Sequence, residues 1–164
     1  MDTGSILVLD DDFDINNIIK LALQNHGYNV FVFTDPSLAL EHFKSNHSTY
    51  SLVLSDLRMP VMNGFEFVRR VKKMNPKIKV LLMTAFEINE LEFTRLLPKP
   101  KIDGFIQKPI PTRKLNGIID KYVNPEIISF ASLVKSTNKI KQSFIEQSND
   151  ELTIVNCYIP KLNP

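Results

Sequence analysis

Residues 6–12 read Ile6-Leu7-Val8-Leu9-Asp10-Asp11-Asp12. Four successive apolar side chains without alternation form the pattern of a strand buried on both faces, the habit of a parallel sheet covered by helices. The run breaks off on three acids, so the carboxyl end of this strand carries concentrated negative charge. Beyond it, Ile15, Ile18, Ile19, Ala22 and Leu23 recur at three- and four-residue spacing and predict a helix whose inward face they form. Gly27 stops that helix at the C′ position, where a left-handed backbone is easiest.

The same cycle repeats along the chain. Val30 to Phe33 reads as a second strand, and Asp35-Pro36 as the cap and first residue of a helix burying Leu40 and Phe43. Leu52-Val53-Leu54 is a third strand, again ending on an acid, Asp56. Gly64 to Lys73 is a helix with Phe65, Val68 and Val71 inward and Arg69, Arg70, Lys72 and Lys73 mostly outward, closed by Pro76. Ile78 to Met83 is a fourth strand ending at Thr84. A weaker helix over 88–97 is cut off by Pro98 and Pro100, Phe105-Ile106 is a fifth strand reaching Lys108-Pro109, and a last helix covers Thr112 to Val123.

Five strands alternating with five helices predict an α/β fold: a doubly wound five-stranded parallel sheet, for which right-handed crossovers favour the order 2-1-3-4-5. In such sheets ligands bind beyond the carboxyl ends of the strands. Asp10, Asp11, Asp56, Thr84 and Lys108 each sit at such an end, so residues scattered over most of the chain converge on one rim.

The composition is compatible with this reading. Of 164 residues, 43% are apolar and 23% charged, the proportions of a globular domain, with some excess chain. A net charge of +2 supplies no general argument for nucleic acid or an anionic membrane, and no apolar run is long enough to span a bilayer. The start, Met1 to Ser5, lacks the pattern of a signal peptide. Cys157 is the single cysteine, which excludes an intrachain disulfide and a cysteine metal site; the expectation is a reducing, cytoplasmic setting.

The rim's chemistry follows from its charges. Carboxylates about 5 Å apart repel by roughly 3 kcal/mol per pair at an effective dielectric near 20. Lys108 contributes one positive charge against three negative ones, and a hard divalent ion such as Mg²⁺ is the natural remainder. No His or Cys lies near these motifs to favour zinc. An Asp in such a site can act as a nucleophile and form an aspartyl phosphate. Metal, Lys108 and the Thr84 hydroxyl would then account for three phosphoryl oxygens.

Taken together, ILVLDDD (6–12), LSDLRMPVMNG (54–64), Met83-Thr84-Ala85 and Gln107-Lys108-Pro109 resemble the response-regulator receiver family of two-component signalling, over roughly residues 4–123. The resemblance implies Asp56 as phosphoacceptor, Asp11 as a direct Mg²⁺ ligand, Asp10 as the second acid, often acting through a metal-bound water, and the backbone carbonyl of Arg58 as a further ligand. It implies a cis Lys108–Pro109 peptide that aims the lysine, and a switch in which Thr84 moves toward the phosphoryl group while the ring of Phe105 turns inward. The implied donor is a phosphohistidine of a sensor histidine kinase or a phosphotransfer protein. The implied output is a changed face of the fourth helix, fifth strand and last helix, read by a downstream protein or a second copy in a homodimer. The only catalysis expected is the domain's own phosphorylation and dephosphorylation.

Other readings compete residue by residue. Asp12 reads as a helix cap and Asp14 as a first-turn acid. Asp10-x-Asp12 also resembles the opening of haloacid-dehalogenase-type phosphatases, with Asp10 as nucleophile, but that family expects Thr or Val where this chain has Asp14. Gly64 reads as a tight-turn residue. The basic stretch Arg69-Arg70-Lys72-Lys73, with Lys77 and Lys79, reads as a solvated helix face rather than a nucleic-acid surface. His26, His42 and His47 lack metal-ligand spacing and read as surface residues.

The chain departs from the family at several points. Arg58 and Phe86 replace acidic or amide groups that can orient a hydrolytic water, which predicts a long-lived phospho-form. Leu97-Pro98-Lys99-Pro100-Lys101-Ile102 replaces the usual small residues before the fifth strand. Residues 124–164 form a separate C-terminal extension. Asn124-Pro125-Glu126 starts a helix, and Phe130, Leu133, Thr137, Ile140 and Phe144 give it one apolar face. A β-prone stretch, 152–159, follows. Four basic and four acidic residues in this extension, with no helix-turn-helix pattern, argue against a DNA-contacting transcriptional output; the helix reads first as one that packs back on the receiver or stays partly mobile, with dimerisation or partner docking as the functional alternative.

Overall fold

The computed structural model describes residues 4–85 and 102–126. The helix expected over 88–97, the proline-rich stretch at 97–101, Phe86 and the extension beyond 126 lie outside the described residues. The chain divides into two units, Met1–Pro125 and Glu126–Pro164, and the described residues belong to the first, apart from Glu126.

The elements run β1 (Ser5–Leu9), α1 (Phe13–Asn25), β2 (Val30–Phe33), α2 (Pro36–Asn46), β3 (Tyr50–Asp56), α3 (Gly64–Met74), β4 (Lys79–Thr84), β5 (Gly104–Gln107) and α4 (Thr112–Val123). All strand pairs are parallel and the order is β2-β1-β3-β4-β5, as the sequence predicts. Because side chains alternate along a strand, each strand supplies both faces. Ile6, Val8, Leu54, Leu81 and Met83 pack against Ile19 and Leu23 of α1 and Leu115 and Ile119 of α4. Leu7, Leu9, Val53 and Leu82 pack against Phe43 of α2 and Phe67, Val68 and Val71 of α3. Full burial of each such side chain stabilises the fold by about 1.5–3 kcal/mol. Among the described residues, no helix is long and apolar enough to cross a membrane.

Local signals place the helix starts. Asp12 Oδ1 accepts from the amides of Asp14 and Ile15, Asp35 caps α2 in the same way, and Asn63 accepts from Glu66 N. Gly27, at φ +97°, ends the turn after α1.

Three sequence expectations need correction. In α1, Ile18 is 54% exposed, while Asn16, at 1%, occupies the inner stripe with Ile19 and Leu23. Ile18 lies about 100° of helical rotation from Ile19, beyond the reach of the sheet. In α3, Phe67 rather than Phe65 is fully buried, Phe65 being only partly covered. His42 is half-buried: its Nδ1 is 2.8 Å from the Tyr50 hydroxyl, and its ring packs beside Phe31 and Phe33.

Candidate functional site

The register aligns the strand ends. Leu9 pairs with Phe33 and Ser55, Asp56 with Met83, and Thr84 with Gln107. Asp10, Asp56, Thr84 and Lys108 therefore leave the sheet on one rim. Asp10, directly after β1, is held by its amide to Phe33 O at 3.2 Å, and its Oδ1 accepts from Asp12 N at 3.1 Å. Asp56 ends β3, and its Oδ2 accepts from Arg58 N at 2.7 Å. Thr84 ends β4, and its carbonyl accepts from Lys108 N at 2.7 Å. The Lys108–Pro109 peptide is cis, as the resemblance implies. From this anchored backbone the Lys108 ammonium reaches 2.6 Å from Asp10 Oδ2 and 2.5 Å from Asp56 Oδ1.

The side chains in this bridge are largely withdrawn from water: Asp10 is 1% exposed, Asp56 8% and Lys108 17%. Burial pushes the Asp10 carboxyl above its usual range, with the hydrogen bonds from Lys108 and Asp12 opposing but not cancelling that push. For Lys108 burial acts downward, yet its hydrogen bonds to Asp10 and Asp56 outweigh it and hold the ammonium above its ordinary value. The cation is thus firmly charged where Asp10 is reluctant to be.

A cavity of about 300 Å³ opens over this bridge, lined by Asp10, Asp11, Asp12, Asp56, Arg58, Thr84 and Lys108 among others. Every acid predicted for the site therefore faces one space. Asp11 is exposed at its mouth. Among the described residues, no three acidic, His or Cys side chains converge tightly enough to hold an ion together. The donor chemistry still suits a hard divalent cation, since the described lining offers carboxylates and carbonyls but no imidazole or thiolate. Two cationic side chains, Lys108 and Arg58, against the four carboxylates of Asp10, Asp11, Asp12 and Asp56 also leave net negative charge in the lining.

Three neighbours complete the picture. Gly64, at the start of α3, packs so closely on Asp56 O and Leu57 that an added Cβ would collide with them, and its amide donates to Leu57 O at 2.9 Å. Its role is close approach rather than a special turn. Phe105 is partly buried on the sheet face that carries Leu82 and packs against Phe67 of α3. Asn16, which the sequence did not single out, is buried beneath the acidic loop. The signal was available: an amide on the apolar stripe of a helix directly after three acids.

The basic stretch is largely neutralised. Arg69 and Arg70 pair with Glu66, while Lys72 and Lys79 converge on Asp103, at 3.1 and 3.0 Å. That is a knot tying α3 and β4 to the entry of β5, not an open cationic surface.

Comparison with known sequences identifies the family. A family model described as the response regulator receiver domain matches residues 6–120. This chain belongs to the response regulator receiver family. Transcriptional regulatory protein ZraR of Escherichia coli (strain K12) is 33% identical over 120 residues, which is 73% of this chain but only 26% of that protein. The chain thus spans only a minor part of that relative's length. The response regulator receiver protein CpdR of Brucella abortus (strain 2308) is 31% identical over 116 residues, covering 71% of this chain and 93% of the relative. A crystal structure of a receiver domain protein from Clostridium thermocellum superposes with a TM-score of 0.66 at 26% identity, covering 76% of this chain and 98% of that one. The receiver match takes in Asp10, Asp11, Asp56, Thr84, Phe105 and Lys108, and leaves residues 121–164 outside it.

Proposed function

We propose that this receiver is switched by phosphorylation of Asp56, with a phosphohistidine of a sensor histidine kinase or phosphotransfer protein as donor. The observation that carries this reading is the Lys108 ammonium held between Asp56 and Asp10 at the floor of an acidic cavity. A carboxylate oxygen of Asp56 bonds to phosphorus as the donor's phosphorus–nitrogen bond breaks, and the nitrogen leaves with the electron pair. In this reading Lys108 holds charge on a phosphoryl oxygen and the Thr84 hydroxyl donates to another. Asp10, Asp11, Asp56 and the Arg58 carbonyl are the groups that would hold Mg²⁺, which when bound neutralises phosphoryl charge. The domain turns over nothing except its own phosphoryl group.

Thr84 and Phe105 are the switch pair in this reading, on the neighbouring strands β4 and β5, with Phe105 opposite Leu82, two residues before Thr84. Phosphorylation shifts their equilibrium only through contacts that differ between the two states. An apolar groove of about 520 Å³ shares Ile15, Ala85 and Lys108 with the acidic cavity and continues along Ile18 and Ile110. Exposed apolar surface beside the mouth supports seating of a donor protein there. A downstream protein or a second copy reads the altered face.

The test is treatment of the full chain and of Asp56→Ala with a small acyl phosphate and Mg²⁺, followed by intact mass, site mapping and size exclusion. One phosphoryl group on wild type and none on Asp56→Ala is the expected result. Label on Asp10 would overturn the assignment in favour of phosphatase-type chemistry. A salt-dependent shift of duplex DNA, lost on deleting residues 124–164, would move the output from protein to DNA.

A further inference from the structure

Asn16 is an anomaly in α1. It occupies the same inward stripe as Ile19 and Leu23 and is 1% exposed. Asn is a middling helix former, and a buried amide is unfavourable unless it is bonded. Its Nδ2 donates to Asp10 O at 2.7 Å and to Phe33 O at 2.9 Å. Its Oδ1 is buried with no hydrogen-bond partner among the described residues. An apolar side chain would avoid that orphaned acceptor, so the two carbonyl contacts are what the amide supplies.

Those contacts fall where the ladder between β1 and β2 ends, at the pair Leu9 and Phe33. Among the described residues, no strand amide beyond that pair donates to the Asp10 carbonyl. Asn16 takes over, gripping Asp10 O from the helix that Asp12 caps. The acidic loop is thereby closed on itself: Asp10 Oδ1 accepts from Asp12 N, Asp12 Oδ1 accepts from the α1 amides, and α1 returns Asn16 to the Asp10 carbonyl. From outside the loop, Phe33 O holds the Asp10 amide and Lys108 sets the direction of Asp10 Oδ2.

We propose that Asn16 is a positioning residue for the acidic pocket, orienting the Asp10 backbone so that its carboxylate faces the cavity and favours Mg²⁺ there. This rests on the phosphoacceptor reading of Asp56. Groups that orient metal-binding side chains characteristically change metal affinity by about 10- to 100-fold when removed.

The experiment is calorimetric titration of the full chain with Mg²⁺ alone, for wild type, Asn16→Leu, Asn16→Ala and Ile19→Val, with urea melts of each. Asn16→Leu removes the orphaned acceptor and keeps side-chain volume, so it is expected to fold. Both Asn16 variants are expected to bind Mg²⁺ about tenfold or more weakly, whereas Ile19→Val, on the same stripe but with no side-chain hydrogen bond to give Asp10, stays within about twofold. Unchanged Mg²⁺ affinity in folded Asn16→Leu would overturn the proposal. So would an equal loss in Ile19→Val, or loss of the fold in both Asn16 variants, which would assign Asn16 to the fold alone. Wild type that takes neither Mg²⁺ nor a phosphoryl group on Asp56 overturns the phosphoacceptor reading as well. Wild type that takes both, beside an equally competent Asn16→Leu, overturns only the role of Asn16.

Discussion

Lys108 and Asp10 stand 98 positions apart in the chain, yet their side chains meet at 2.6 Å with the carboxylate 1% exposed. The same ammonium reaches Asp56, so one cation compensates two buried acids from different strand ends. Lys108→Met removes that cation and leaves both carboxylates beneath the cavity without it. Losing one partner of a buried pair costs about 3–5 kcal/mol, and a loss near the lower figure is expected because the cavity is open to water. Mg²⁺ should restore part of it by binding the folded state. Urea melts with and without Mg²⁺ measure both effects, and an unchanged midpoint in the metal-free melt would refute the compensation.

Gly64 sits against the backbone that carries Asp56. A Cβ there would press on Asp56 O and Leu57 Cα, neither of which can swing aside as a side chain can. Gly64→Ala should therefore destabilise by about 1–3 kcal/mol, the usual penalty for overpacking. The denaturation midpoint should fall at constant m, and a midpoint equal to wild type would show that the loop yields freely.

Val61 holds a φ of +68° and is 96% exposed. A β-branched residue in left-handed backbone is strained by about 1–2 kcal/mol, and Asn tolerates that region better. Val61→Asn is expected to stabilise the domain by about 1 kcal/mol. Equal or lower thermal stability of the variant would argue that the loop relaxes the strain elsewhere.

Asp103 controls an acid limb of stability. Burial pushes its carboxyl up, but the Val80 amide, Lys79 and Lys72 outweigh burial and hold it below its ordinary value near 3.8. Its folded state therefore binds a proton less readily than the unfolded chain. The stabilisation is present above pH 3.8 and is lost as pH falls through the depressed folded value. Asp103→Asn should be less stable than wild type at neutral pH, with the gap closing in acid. A gap that stays constant down to the acid transition would exclude this linkage.

The legible features were those set by local chemistry. Val30–Phe33 and Thr112–Val123 have the bounds read from the sequence, because apolar runs and helical periodicity mark them directly. Asp12 and Asp35 were readable as caps because capping is a matter of a few neighbouring amides. Ile18 and Phe65 are less buried than periodicity predicts, because periodicity locates a stripe but not its width, and the opposing sheet decides which residue at the margin is covered. Lys72 looked like a solvated cation because its partner, Asp103, lies 31 residues away.

By itself the sequence determined the succession of strands and helices, the parallel sheet and the set of side chains at the strand ends, since each follows from spacing and residue type over short windows. Tertiary structure alone decided how those side chains share charge: Lys108 bridging Asp10 and Asp56, Asp11 exposed at the cavity mouth, and Asn16 beneath the acidic loop. Such pairings depend on which distant groups lose their water together. That loss is a property of packing, and no local pattern records it.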